Sequence, residues 1–235
     1  MSAKLVRISQ ASSLVAAAIV TLPGAASAQE QLSAHDLNLK AVQLQQAGKL
    51  AEAADTYRKA IQLNPKGAAY HNNLALVLKD LNQMAEAEQE ERTALKLRPK
   101  RGDYHYNLGI ILQRENKPDA AEKEFRQACD IDAMDTESHY RLAQTLQQES
   151  KFPEAEQEIK LALMLKPDQA SYHQLFGDIL MLEKREEEAL NEYQKVLSTP
   201  GVTVSGDLQN KVDYLRQVLH RDRSRSGTAS SQPSQ

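Results

Sequence analysis

Apolar residues recur along the chain at helical spacing, in segments that come in pairs. Leu142 and Leu146 lie one turn apart on one segment, and Ala155, Ile159 and Ala162 follow on the next. The arrangement also occurs as Leu108 and Leu112 before Ala121, Phe125 and Ala128, and as Leu74 and Leu78 before Ala87, Glu91 and Ala94. Each pair predicts two amphipathic helices joined by a short polar turn. Small residues hold one place on each first segment (Ala41, Ala75, Gly109, Ala143, Gly177) and one on each second (Ala53, Ala87, Ala121, Ala155, Ala189). Only a small side chain lets two helix backbones approach closely, so these places mark the seam within a pair.

The pairs keep a fixed period. His71, His105, His139 and His173 stand 34 residues apart, as do Pro65 and Pro99, with Pro167 two further periods on. Such a period marks an array of units too small to bury their own apolar faces. Pro118 and Pro153 fall at the first turn of second helices, where a missing N–H costs nothing. Pro65, Pro99 and Pro167 end second helices before the next unit begins.

Five units follow, at 34–67, 68–101, 102–135, 136–169 and 170–201. The third reads His105-x-x-Leu108-Gly109-x-x-Leu112, then Ala121-x-x-x-Phe125-x-x-Ala128; the fifth reads His173-x-x-Phe176-Gly177-x-x-Leu180, then Ala189-x-x-x-Tyr193. This grammar resembles the tetratricopeptide repeat (TPR) family over about 34–200. The departures are local. The leading aromatic is Leu37 or histidine and never tryptophan, Ala133 replaces one proline, Lys40 replaces a leucine, and Glu91 stands where a large apolar residue belongs. The resemblance implies an all-α, right-handed solenoid of five helix-turn-helix repeats. After Pro200-Gly201, residues 205–220 carry Leu208, Val212, Leu215, Val218 and Leu219 on one face, with Ser205 as N-cap. That is a capping helix over the last repeat. Residues 221–235, poor in apolar side chains, are expected to be a disordered tail.

The first 28 residues read as a signal peptide. Lys4 and Arg7 precede the apolar run Leu14–Leu22, and Ala26-Ser27-Ala28 fits a small-x-small cleavage site. The run is too short for a membrane-spanning helix, which needs about 20 residues; an uncleaved N-terminal anchor is the alternative. The expected compartment is the periplasm, with secretion as the other outcome. Without Lys4 and Arg7, the 29 basic residues drop to 27 against 32 acidic ones, a net charge of −5. That mild excess gives solubility and no reason to expect nucleic acid or anionic lipid. Cys129, the one cysteine, has no internal disulfide partner and reads as a small buried apolar residue.

The chemistry-bearing motifs of enzymes are absent: no phosphate-binding glycine loop, no nucleophile elbow, no zinc cysteine set. No cofactor is expected. The four histidines do not make a metal site among themselves, because equivalent residues of stacked helices lie about 10 Å apart while zinc holds each nitrogen at about 2.0–2.1 Å. They read as rings packed between helices. If neutral, their pKa values would fall and stability would drop below about pH 6. The acidic run Glu86-x-Glu88-x-Glu90-Glu91 reads as a solvated helix face.

The resemblance implies that first helices line a concave face that binds a peptide. Asn73, Asn107 and Arg141 would point into it, one per unit, with Tyr106 and Tyr140 preceding the last two. Leu76 and Ile110 lie one turn on, with Lys79 and Arg114 beyond. Amides at this spacing suit the backbone of an extended peptide, and tyrosines add contact area. Arg141 resembles one element of a carboxylate clamp, but Glu137 occupies the clamp's lysine position and Leu76 replaces another polar member. The expected function is protein binding without catalysis, in envelope assembly. The alternative is a structural subunit that docks through its convex face or open end.

Overall fold

A computed structural model describes residues 32–229. The expected signal peptide, residues 1–28, lies outside them, as do residues 230–235. Among the described residues there are eleven helices and no strand: α1 (Ala34–Gln46), α2 (Leu50–Leu63), α3 (Ala68–Asp80), α4 (Met84–Leu97), α5 (Gly102–Arg114), α6 (Pro118–Ile131), α7 (Thr136–Gln148), α8 (Phe152–Leu165), α9 (Ala170–Leu182), α10 (Glu186–Ser198) and α11 (Gly206–Ala229). Every substantial helix contact joins elements at most two apart in the chain. The odd helices pack on the even ones that follow, each pair packs on the next, and α3 touches α5 as α7 touches α9. This is the quasi-one-dimensional architecture of a repeat stack.

The turn inside each unit is stereotyped. Gly48, Asn82, Asn116, Ser150 and Lys184 adopt a left-handed conformation one period apart. The amide of the next residue reaches back to the first helix, as in Gln83 N–H to Leu78 C=O at 2.8 Å and Lys117 N–H to Leu112 C=O at 2.9 Å. These are Schellman bonds, which satisfy carbonyls left over at a helix end. Caps are local too. Ser33 and Asp36 form a reciprocal capping box on α1, and Asp135 accepts from Glu137 N–H on α7.

The seam residues sit where close approach demands them. Ala41, Ala75 and Ala143 are fully buried. A Cβ on Gly109 would lie 2.6 Å from the Phe125 ring, and one on Gly177 would collide with Tyr193. Glycine here makes room for an aromatic on the partner helix, which outweighs the ~1 kcal/mol that a mid-helix glycine costs relative to alanine.

α11 closes the stack. Leu208, Val212 and Leu215 are buried in the cluster that also holds Tyr193 and Val196. Ser205 accepts from Leu208 N–H at 3.2 Å, and Lys211 pairs with Asp178 of α9 at 2.9 Å. The helix does not stop at residue 220. It runs to Ala229, so the expectation of a disordered tail fails for residues 221–229. Arginine is a good helix former and no proline intervenes before Pro233, so backbone hydrogen bonding propagates from a well-anchored start.

Candidate functional site

The residues singled out on the first helices form a ladder between units. Asn73 donates to Asn38 of α1 at 3.1 Å, and the Asn107 amide meets that of Asn72 on α3 at 2.8 Å. The Asn72 and Asn73 amides meet at 3.1 Å. Tyr106 of α5 crosses to the next unit as well, its hydroxyl donating to Glu137 of α7 at 3.5 Å. These side chains therefore first serve to register neighbouring helices. An asparagine amide has two donors and an acceptor with two lone pairs, so capacity remains for a ligand.

Tyr106 and Tyr140 are half-buried and pack rather than project. The Tyr106 ring tilts against Phe125 at 5.9 Å between centroids, and Tyr140 stacks on Tyr172 at 4.9 Å. Arg141 donates to Glu137 at 3.1 Å and to Gln144 at 3.3 Å, lying 5.5 Å from the Tyr140 ring. Glu137 thus holds Arg141 in place.

Three of the expected residues converge on one groove. Ile110 and Arg114 of α5 and Arg141 of α7 line it together with Gln113, Gln144 and Gln148, around a volume of about 280 Å³. Leu76 and Lys79 do not line this groove; Leu76 is half-buried on α3, and the Lys79 ammonium lies 3.7 Å from Asp80. The three glutamines were missed from sequence, although the period reaches all of them, Gln113 standing at the place of Lys79. Gln144 likewise occupies the place of Leu76 and Ile110, and Gln148 that of Arg114.

The histidines form a second ladder. In each case Nδ1 meets a glutamate 19 residues on: His71 with Glu90 at 2.6 Å, His105 with Glu124 at 2.7 Å, His139 with Glu158 at 2.7 Å, His173 with Glu192 at 2.6 Å. Nε2 faces a carbonyl six residues back, of Pro65 (3.0 Å), Pro99 (3.1 Å), Ala133 (3.3 Å) and Pro167 (2.7 Å). A carboxylate and a carbonyl are both acceptors, so only the doubly protonated imidazolium donates to both. The glutamate hydrogen bond, against the cost of burial, raises the pKa of His71 and of His105. The Cys129 sulfur and the Glu158 carboxylate push His139 up to about 10. For His71, His105 and His139 the expectation of neutral rings with lowered pKa values is thereby corrected: the carboxylate beside each ring favours its charge.

The acidic run is corrected in the same way. Glu86 binds Arg58, Glu88 binds Lys117, Glu90 holds His71, and Glu91 is fully buried. The Glu88–Lys117 contact recurs as Glu122–Lys151 and Glu156–Arg185, tying α4, α6 and α8 to the turn of the next unit.

Paired helices with small residues along each seam, an inner face built from one helix of each pair and a terminal cap define a helical-repeat solenoid. Family profiles place it further: a TPR repeat matches residues 43–82, and tetratricopeptide repeats match 80–136 and 112–179. The chain belongs to the tetratricopeptide repeat family. No curated protein sequence matches it. Among solved structures it is similar to PilF of Pseudomonas aeruginosa, at 22% identity and a TM-score of 0.70 over 82% of this chain and 87% of that one. It is similar to YrrB, described as a TPR protein with an unusual peptide-binding site, at 23% identity and 0.63 over 72% and 87%. It is also similar to MamA of Desulfovibrio magneticus RS-1, at 17% identity and 0.67 over 71% and 94%. At these identities the likeness is one of fold. Among the described residues no helix is long and apolar enough to cross a membrane.

Proposed function

We propose that this protein is a non-catalytic scaffold that captures an extended segment or helix of a partner protein along its inner face, after export, in envelope assembly. The groove between α5 and α7 carries the reading. One apolar side chain, Ile110, is flanked by the guanidiniums of Arg114 and Arg141 and by the amides of Gln113, Gln144 and Gln148. That set suits a segment with exposed carbonyls and acidic side chains. The peptide-binding site named for YrrB lies on the same fold, which supports the reading.

The test is photo-crosslinking from position 110 in intact cells, comparing the wild type with the Asn73→Ala, Asn107→Ala, Arg141→Ala triple variant. Capture should fall by about 100-fold or more, at ~1–2 kcal/mol for each lost polar contact, while helicity and melting establish that the variant folds. Full capture by the folded triple variant would overturn the groove assignment. Loss of capture with assembly intact would favour docking through the convex face or open end. N-terminal sequencing of the mature chain tests export: a start near Gln29 is expected, and a cytoplasmic chain retaining Met1 would overturn it.

A further inference from the structure

No metal site is expected from the sequence, either among the four histidines or within any one unit. The fold brings one of the histidines to a different pair of donors. Cys129 of α6, His139 of α7 and Glu158 of α8 each offer a ligand atom, and these atoms all lie within 4.8 Å of one another. Cys129 and His139 are buried, and the Glu158 side chain is 17% exposed.

This corner departs from the repeat in two ways. At the places of Cys129 in the other units stand Ile61, Leu95, Leu163 and Leu197. A thiol thus replaces the aliphatic side chain at one histidine latch of four. At that same latch, alanine replaces the repeat's proline, and the Nε2-to-carbonyl distance is the longest of the set, 3.3 Å against 3.0, 3.1 and 2.7 Å. The backbone holds this imidazole least tightly where a sulfur donor has been added.

We infer that Cys129, His139 and Glu158 bind one zinc-class divalent cation, with three protein ligands and a fourth position for water. Thiolate, imidazole and carboxylate together suit a borderline-soft ion such as zinc, and not magnesium or calcium, which take oxygen donors. Zinc–ligand distances of about 2.0–2.3 Å put tetrahedral ligands roughly 3.3–3.8 Å apart, so the three atoms close by small side-chain shifts. On binding, the thiol proton and the second imidazole proton leave to solvent, the carboxylate turns from the ring to the metal, and the ion takes up all three donors. Because the ligands come from α6, α7 and α8, the cation would pin the third unit to the fourth. This site is independent of the peptide groove.

The experiment titrates the folded full chain with cobalt(II) and then with zinc. One equivalent of cobalt should give thiolate-to-cobalt charge-transfer absorption in the near ultraviolet, and zinc should abolish it while raising the melting temperature. Cys129→Leu restores the side chain that Leu95 and Leu163 place at the equivalent corner, so it should fold and lose both responses. Cys129→Ser, which changes the volume least, serves as the second variant should leucine overpack. Absence of a thiolate–cobalt band in the wild type would overturn the site. So would a zinc-induced stabilisation that persists in the folded cysteine variants, since it would mark binding elsewhere on the surface.

Discussion

Glu91 is the residue whose chemistry fits its place least. It occupies the position held by Tyr57, Phe125, Ile159 and Tyr193 in the other units, and it is fully buried. Oε2 has no hydrogen-bond partner among the described residues, and one end of the Asn72 amide lies 3.2 Å from Oε1. Burial, aided by the charge of Asp103, pushes its pKa up to about 9. A carboxyl whose folded pKa is raised binds a proton that the unfolded chain releases. Its penalty is therefore absent well below pH 4.5 and grows as pH rises toward 9. Glu91→Ile copies the fourth unit, where Ile159 packs across a seam with the same small residue, Ala143 for Ala75. The variant should be about 2–4 kcal/mol more stable at neutral pH. Its advantage over the wild type should shrink at pH 5. Urea unfolding at pH 5 and pH 8 checks this; an equal gain at both, or none at pH 8, would refute the buried carboxyl as the cause.

At the scale of elements, each of the four histidine latches joins three pieces: the carbonyl that ends the preceding unit, the first helix and the second helix. Imidazolium satisfies both acceptors, and the pKa values of His71 and His105 are raised. A raised histidine pKa contributes stability that is fully present below the unfolded value of about 6.5 and lost as pH climbs through the folded one. Wild-type stability should therefore fall from pH 6 to pH 8.5. The His71→Gln, His105→Gln double variant should be less stable at pH 6 and show a flatter profile, because each lost charge-assisted bond is worth about 1.5–3 kcal/mol there. Melting curves across that range decide it; an unchanged slope in the double variant would disprove the latch's part. The sequence pattern carried the histidine period and the seam, since both are set by local spacing and side-chain size. It did not reveal the glutamates 19 residues on. That pairing crosses a turn and forms only when two helices pack, and the partner acids look like any solvated helical face. The groove was legible in part for a related reason. The family resemblance implied Ile110, Arg114 and Arg141 among the groove residues, and these three line one groove, whereas the burial of Tyr106 and Tyr140 follows from neighbours that only stacking supplies.

For the whole molecule, a stack whose units touch only their neighbours should lose stability locally when an end is removed. α11 covers α10 with Leu208, Val212 and Leu215 and reaches α9 through Lys211 and Asp178. Three such side chains, at about 1.5–3 kcal/mol each, make the cap worth roughly 5 kcal/mol or more. A repeat pair alone has only one buried interface, so the fifth unit depends on the cap more than the interior units do. Truncation before Gly206 should raise hydrogen exchange throughout α9 and α10, with a smaller rise in α7 and α8 and none in α3 and α4. Glu192 and Tyr193 should become exchange-exposed with them, because the His173–Glu192 contact and the Asp178 hydrogen bond lie inside the same unit. Mass-resolved exchange on the truncated and full chains reads this gradient directly. A uniform loss of protection along the stack would mean that the units unfold as one cooperative body, and no loss in α9 and α10 would mean that α11 is an appendage and not the cap.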